Sequence, residues 1–331
     1  MSKKTEDEFL FDHIISIGPA CRPAANLRYN HLRTFSSPLD WMMDYSLDTV
    51  LHLLRNGFED FFLQYEVDKN NSNVANGYLR VVDTLNHIIS IHHFPANVWM
   101  SISYPMFVQK MKYRAERMES VLQHSSSIAL VANRLESNTE MLSFLKSFAD
   151  LYPHLRIGLI NIRNDVTKSH DNYSENTVYN DNRLLFKEYF INDAQQWPYA
   201  WDGNTFAWSQ ILNNFSTGEL DKTKNKWLRL RKQSRELIVF GAGKQSIHIL
   251  GWLSGIKIEI DGIAVSTMKD NPCNINGVRV QTYSEYSKDA SIVIGLESKS
   301  KAKEIGNALC IRGYNNVIYV DDNLNLVMTD E

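Results

Sequence analysis

The chain has 331 residues, of which 44% are apolar and 22% charged, enough to bury a sizeable core and long enough for roughly two domains. A formal net charge of -3 leaves no broad basic surface to neutralise phosphates, so nucleic acid is excluded as an expected partner. No apolar run approaches the roughly 20 residues that cross a bilayer, and the opening Met1 to Phe9 carries both charge signs without a signal peptide's apolar stretch; a cytoplasmic protein with no integral membrane segment is expected.

Three cysteines, at 21, 273 and 310, suit neither a disulfide framework nor a paired metal spacing, in keeping with a reducing compartment. The ten histidines are scattered, with His92 and His93 the one close cluster and no cysteine or carboxylate pair at ligand spacing beside them, so no metal site is expected.

In chain order, the apolar run His13 to Ile17 meets Gly18-Pro19 and then a helix-compatible stretch from Arg22 to Leu32: strand, turn, helix. Ser37 to Trp41 is a turn, and Leu47, Val50, Leu51, Leu54 and Phe58 recur at the three-and-four spacing of an amphipathic helix. Lys69 to Asn76, rich in Asn and Ser, predicts a loop, followed by strands at Tyr78 to Val82 and Ile88 to His92. Tyr104 to Leu122 predicts a long helix with a basic face at Lys110, Lys112, Arg114 and Arg117. That face suits a phosphate or carboxylate group and equally suits plain solvation.

Ser127 to Ala132 and Arg156 to Ile162 are buried-type strands around a helix at Met141 to Leu151. The polar stretch from Asn164 to Asn182 predicts an exposed loop. Leu184 to Phe190 is a further apolar run, and Trp197, Tyr199, Trp201, Phe206 and Trp208 make an aromatic stretch. The basic segment Lys222 to Arg235 marks the boundary between domains at 1–225 and 235–331.

In the second domain, Glu236 to Phe240 runs into Gly241-Ala242-Gly243-Lys244 and a helix from Ser246 to Leu253, the start of a mononucleotide-binding pattern. Strands at Ile258 to Val265, Val278 to Val280, Ser291 to Ile294 and Asn316 to Val320, with helices around Ser284 and from Ser298 to Arg312, predict a parallel sheet. Gly241, Gly243 and Lys244 are the candidate cofactor-binding residues. The second strand ends in Val265-Ser266-Thr267 without the acid that holds a ribose, which argues against NAD and leaves a tight packing turn as the plain alternative. The runs Gly241 to Lys244, Val265-Ser266, Asn271-Pro272 and Ile275 to Val280 resemble the small Rossmann-like domain appended to many bacterial sugar-processing enzymes.

Cys21 stands where the first strand gives way to the first helix. Backbone N–H groups and the positive helix end favour a thiolate there and can hold an oxyanion; a small core residue is the competing reading. The run Ile14 to Cys21, then Leu27-Arg28, Pro38-Leu39-Asp40-Trp41, Phe58-Glu59-Asp60-Phe61, His92-His93-Phe94 and Trp201-Asp202-Gly203 resembles the bacterial family described as papain-like cysteine peptidases, formerly a domain of unknown function. The resemblance spans roughly residues 11 to 215. It implies Cys21 as nucleophile, His92 as the base that takes its proton, and Asp40 or Asp202 as the carboxylate that orients the imidazole. Where the family reads G-S-N-C-Q and H-D-F, this chain has Gly18-Pro19-Ala20-Cys21-Arg22 and His92-His93-Phe94, so amide side chains that can serve an oxyanion are replaced.

The expected fold class is therefore α/β, an N-terminal papain-like α+β domain followed by a small Rossmann-like parallel-sheet domain. The expected function is cysteine-dependent acyl chemistry, by a papain-like hydrolase or peptidase or by an acyltransferase, on a small-molecule or glycan substrate in surface polysaccharide or glycoconjugate assembly. A nucleotide or acyl-CoA is the candidate cofactor. The alternatives are a catalytically inactive binding or scaffold module of a glycan-assembly pathway and a nucleotide-binding protein acting through the second domain.

Overall fold

The structure, a computed structural model, describes residues 9–68, 77–193, 201–217, 220–321 and 326–327. The charged opening segment, the expected loop from Lys69 to Asn76, and Trp197 and Tyr199 lie outside the described residues.

Short β1 (Phe9–Leu10) and β2 (His13–Ser16) lead to α1 (Cys21–Tyr29), β3 (Met42–Met43) and α2 (Leu47–Arg55). The Ser46 hydroxyl caps α2 by accepting from Thr49 N, Asp48 lies in the first turn and Arg55 in the last, and Leu47, Val50, Leu51, Leu53 and Leu54 form its buried face. Next come β4 (Tyr65–Asp68), β5 (Arg80–Asp83), β6 (Ile88–Ser90) and α3 (Met100–His124), which starts a turn earlier than expected and contains Pro105. β7 (Ser127–Ala132), α4 (Asn138–Leu151) and β8 (Arg156–Asn164) follow, α4 opening on a Ser137–Glu140 capping box.

β9 (Tyr173–Asn180) is a correction to the sequence reading, which made this polar stretch a loop. Its side chains are mostly exposed, so apolar alternation is missing, yet it pairs antiparallel with β10 (Leu184–Ile191) as the edge of a sheet. α5 (Thr205–Leu212) and β11 (Phe215–Ser216) come next. The basic segment read as a boundary is a helix, α6 (Leu220–Gln233), whose Trp227 is fully buried in one cluster with Trp252, Leu237 and Val293.

The remainder is β12 (Leu237–Phe240), α7 (Lys244–Gly255), β13 (Gly262–Val265), β14 (Asn274–Ile275), β15 (Val278–Thr282), β16 (Ser291–Ile294), α8 (Lys299–Ile311), β17 (Asn316–Val320) and β18 (Leu326–Val327). The strand expected from Ile258 is confined to β13, and Tyr283–Glu285 is a single 3-10 turn.

One sheet runs β2-β7-β8-β10-β9, parallel except at β9. Successive residues of its strands serve opposite faces: Ile15, Leu130 and Leu159 join the cluster that includes Phe107 and Phe148, while Ile14, Ala129 and Ile160 join Leu27 and Trp208. A four-stranded antiparallel sheet, β3-β6-β5-β4, carries the loop with His92. The third sheet is β14-β15-β13-β12-β16-β17-β18, with the five inner strands parallel. The chain is thus α/β, with mixed and parallel sheets.

Helix α7 meets α5 through two small residues one turn apart. A Cβ added at Gly251 would stand 3.1 Å from Ser209 Oγ, and one at Gly255 only 2.0 Å from Asn213 Nδ2. The backbones of α5 and α7 are therefore in direct contact, which brings the start of α7 beside α1 and the 201–204 loop.

Candidate active site

The turn from β2 into α1 is fixed from both sides. Ile17 N donates to Val131 O at 2.9 Å, extending the strand register to the turn. Gly18 adopts φ 64°, and a Cβ there would stand 2.0 Å from Tyr45 Oη, so the position demands glycine on conformation and space alike. Arg134, 1% exposed in its side chain, donates through Nε and Nη2 to Ile17 O and through Nη1 to Tyr45 O and Glu136. It clamps the two segments that flank the turn. No motif in the sequence singles out Arg134; an arginine two residues past the end of the six-residue buried strand β7 is the signal available.

Cys21 is the first residue of α1, after Ala20 in an extended conformation that gives the helix no side-chain cap. The thiol is only 7% exposed. Burial pushes it up to about 11, the residue's own backbone N–H opposes that, and the charge of Asp40 pushes it further up. Position at a positive helix end was expected to favour the thiolate; desolvation outweighs it, and the resting group is a thiol.

Asp40 is buried in the turn before Trp41, where its Oδ2 accepts from Arg33 Nε at 2.9 Å, Arg33 Nη2 at 2.6 Å and Ser37 N at 2.9 Å. Burial drives its carboxyl upward against these partners and Arg114. His92 follows β6 on an exposed loop, edge-on to Trp41 with ring centroids 6.1 Å apart and to Tyr78 at 6.3 Å; partial burial lowers its pKa, so it is a neutral imidazole at neutral pH. The adjacent His93 shares a 3.0 Å hydrogen bond with Ser90 Oγ, packs against Phe107 and is pushed down to about 3 by burial, with Lys110, Arg114 and His92 adding to the effect.

Asp202 lies elsewhere in the network. Fully buried, it stands 3.3 Å from Lys244 Nζ and 3.3 Å from His248 Nε2, both on α7. Burial raises its carboxyl, but His248 and Lys244 together hold it below the ordinary carboxylate range. Its backbone carbonyl accepts from Asn26 Nδ2 at 3.0 Å, and Arg22 donates to Trp201 O at 3.1 Å and Asp193 at 2.5 Å. Arg22 and Asn26, one turn apart on α1, thus hold the 201–202 loop against the helix that begins with Cys21.

Among the described residues, no histidine is hydrogen-bonded to Cys21, and neither Asp40 nor Asp202 is hydrogen-bonded to His92. What connects the parts is a line of aromatic rings. Trp41 faces His92 on one side and Trp201 on another at 6.2 Å, and Lys244 Nζ stands 4.6 Å from the Trp201 ring centroid. Arg28 and Arg33 also lie over Trp41, at 5.6 and 6.0 Å.

The Gly241-Ala242-Gly243-Lys244 turn therefore points its lysine at Asp202 and Trp201. Ser246, in the third position of the fingerprint, donates to Gly295 O at 3.1 Å and ties α7 to the end of β16. β13 ends without a carboxylate. These residues match a packing turn better than a dinucleotide cradle, and no chemistry is assigned to a nucleotide or acyl-CoA here. A cavity of about 700 Å³, lined by Gly203, Asn204, Phe206, Ile247, Pro272 and Ile275 among others, includes none of Cys21, Asp40 and His92.

Residues 12–156 match the family model described as "Putative papain-like cysteine peptidase (DUF1796)". The match is to fewer than half of the 331 residues. It contains Cys21, Asp40 and His92 and stops before Asp202 and the Gly241 turn. No curated protein and no solved structure matches the chain.

Proposed function

We propose that this protein performs cysteine-dependent acyl chemistry at Cys21, as a hydrolase or acyltransferase. The observation that carries the reading is the placement of Cys21 on the first turn of α1, on a turn clamped by Arg134 and Gly18, inside the segment similar to papain-like cysteine peptidases. Because the resting thiol is protonated and His92 is neutral, the pair does not start as an ion pair. His92 takes the thiol proton as sulfur attacks the acyl carbon, returns it to the leaving group, and then deprotonates the water or acceptor hydroxyl that opens the thioester. Of the two candidate carboxylates, Asp40 is the one whose charge reaches Cys21, while Asp202 is engaged by Lys244 and His248.

On this reading residues 1–225 form the catalytic part and 235–331 a Rossmann-like unit, a division supported by the parallel inner strand order β15-β13-β12-β16-β17. A cytoplasmic bacterial protein of glycan or glycoconjugate assembly is the setting suggested by the resemblance of the Gly241 to Val280 runs to the small domain of sugar-processing enzymes, and no described helix is long and apolar enough to cross a membrane.

The test is alkylation of Cys21 by iodoacetamide across pH, with peptide mapping to separate Cys273 and Cys310, in the intact protein and in His92→Ala. A base that reaches the thiol gives a rate near pH 7.5 well above that of a thiol titrating near 11, and the substitution lowers it tenfold or more, roughly. A rate that follows a thiol titrating near 11 and ignores His92 sinks the enzyme.

That second outcome is what a binding module predicts, with Cys21 an inert small core residue. The buried, protonated thiol without a histidine partner is the observation that favours it.

A further inference from the structure

α3 presents three residues along one face to the loop after β6: Phe107 against the His93 ring, then Lys110 and Arg114, three and seven positions on. Arg33, on the segment after α1, brings a third cation, and its guanidinium is bound to Asp40. α3 packs on the segment before Asp40, where Ser37 Oγ donates to Met118 Sδ at 3.5 Å and the Arg117 guanidinium lies 5.7 Å from the Phe35 ring centroid; Arg114 accordingly feels both Asp40 and Arg33, and Lys110 is repelled by Arg114.

Arg33 and Arg114 thus share the one carboxylate of Asp40, and Lys110 stands beside Arg114 with no carboxylate acting on it. Arg33 uses that carboxylate in two hydrogen bonds, and Ser37 N takes a third. Neither Lys110 nor Arg114 forms a hydrogen bond or ion pair with a described residue, and Arg114 Nη1 is out of contact with solvent and has no acceptor. Buried guanidinium donors without acceptors are uncommon because the lost hydration is uncompensated. The charge left over, three cations against Asp40, is close to the dianion of a phosphate group, whose oxygens also suit guanidinium and ammonium donors. The segment that carries Asp40 runs on to lie against the Cys21 turn, where Asp44 N donates to Pro19 O at 3.2 Å and Tyr45 packs on Gly18, and Asp40 also acts electrostatically on Cys21.

We propose that Lys110, Arg114 and Arg33 form a subsite for a phosphate group beside Cys21. The subsite deepens the acyl-chemistry reading, on which it rests for the word substrate: the molecule processed at Cys21 carries a phosphate. Binding of the anion itself does not depend on the thiol.

The test is titration calorimetry of the full chain carrying Cys21→Ser, with inorganic pyrophosphate and with uridine diphosphate, repeated after Lys110→Gln and after Arg114→Gln. Saturable binding that either substitution weakens about tenfold or more supports the subsite. Equal affinity for the two ligands identifies the phosphates alone as the determinant, and tighter uridine diphosphate identifies a nucleoside diphosphate source. Absence of saturable heat at about 1 mM ligand, or binding indifferent to both substitutions, overturns it. Because Lys110 has no described partner to lose, Lys110→Gln keeps the thermal midpoint; a fall of several degrees marks the lysine as structural and also overturns the assignment. Failure of the Cys21 alkylation test with pyrophosphate binding intact leaves the anion site standing without the reaction.

Discussion

Tyr29 lies flat against His248, with ring centroids 3.6 Å apart and planes inclined by 25°. The contact joins the last residue of α1 to the middle of α7, and His248 in turn faces Asp202. The helix that starts with Cys21 is therefore anchored at its far end by a residue more than two hundred positions away.

This anchorage predicts a large cost for Asp202→Ala. The substitution removes the buried carboxylate that faces both Lys244, whose side chain is 12% exposed, and His248. Breaking a buried ion pair from one side costs about 3–5 kcal/mol. Urea unfolding measures it, and a cost under about 1 kcal/mol would place the pair in the class of solvated surface bridges.

The clamp on the Cys21 turn makes a second prediction. Arg134→Met leaves the carbonyls of Ile17 and Tyr45 without their side-chain donor inside the protein. Each orphaned buried acceptor costs about 1–3 kcal/mol, so a loss of several kcal/mol is expected, accompanied by a changed alkylation rate at Cys21. A variant as stable as the parent would mean that water replaces the guanidinium.

Acid should loosen the fold earlier than its carboxylates alone dictate. Burial lowers His31 to about 4 and His93 to about 3, and it lowers His248 as well. A histidine whose folded value lies below its unfolded one gains a proton on unfolding, so its contribution is complete above pH 6.5 and declines as pH falls toward the folded value. His31 alone accounts for about 3 kcal/mol over that window. Unfolding free energies at pH 7.5 and 4.5 measure the slope, which His31→Asn should flatten; asparagine tolerates the positive φ of 57° at this position. An unchanged slope would mean that His31 is protonated in the folded state.

Much of this arrangement is visible in the sequence where a short-range pattern encodes it. Ile14 to Ile17 followed by Gly18-Pro19 marks the strand-to-helix turn and so the place of Cys21, and the buried strands β7, β8 and β12 announce themselves as apolar runs. β9 does not, because an edge strand with solvent on its side chains has no need of apolar alternation. The partners of Asp202 are equally illegible. His248 and Lys244 meet it because Gly251 and Gly255 let α7 settle on α5, a tertiary contact that no spacing within one segment records. The thiol's environment is illegible for a related reason: position at a helix start can be read locally, whereas the burial that raises the thiol depends on everything packed around Cys21.

Asp40 supplies the sharpest test of the proposed site, because its two candidate roles predict opposite signs. As an orienter of His92 it would speed the reaction of Cys21, and Asp40→Asn would slow alkylation. In the structure its carboxylate is occupied by Arg33 and Ser37, and its charge disfavours the Cys21 thiolate. Removing that charge should lower the thiol's pKa from about 11 and speed alkylation at fixed pH between 8 and 10, even though loss of the Arg33 partner costs about 3–5 kcal/mol of stability. The measurement is made well below the unfolding midpoint, with circular dichroism to verify that the variant is folded. A faster reaction assigns Asp40 to the cation cluster at Arg33; a slower one assigns it to the imidazole.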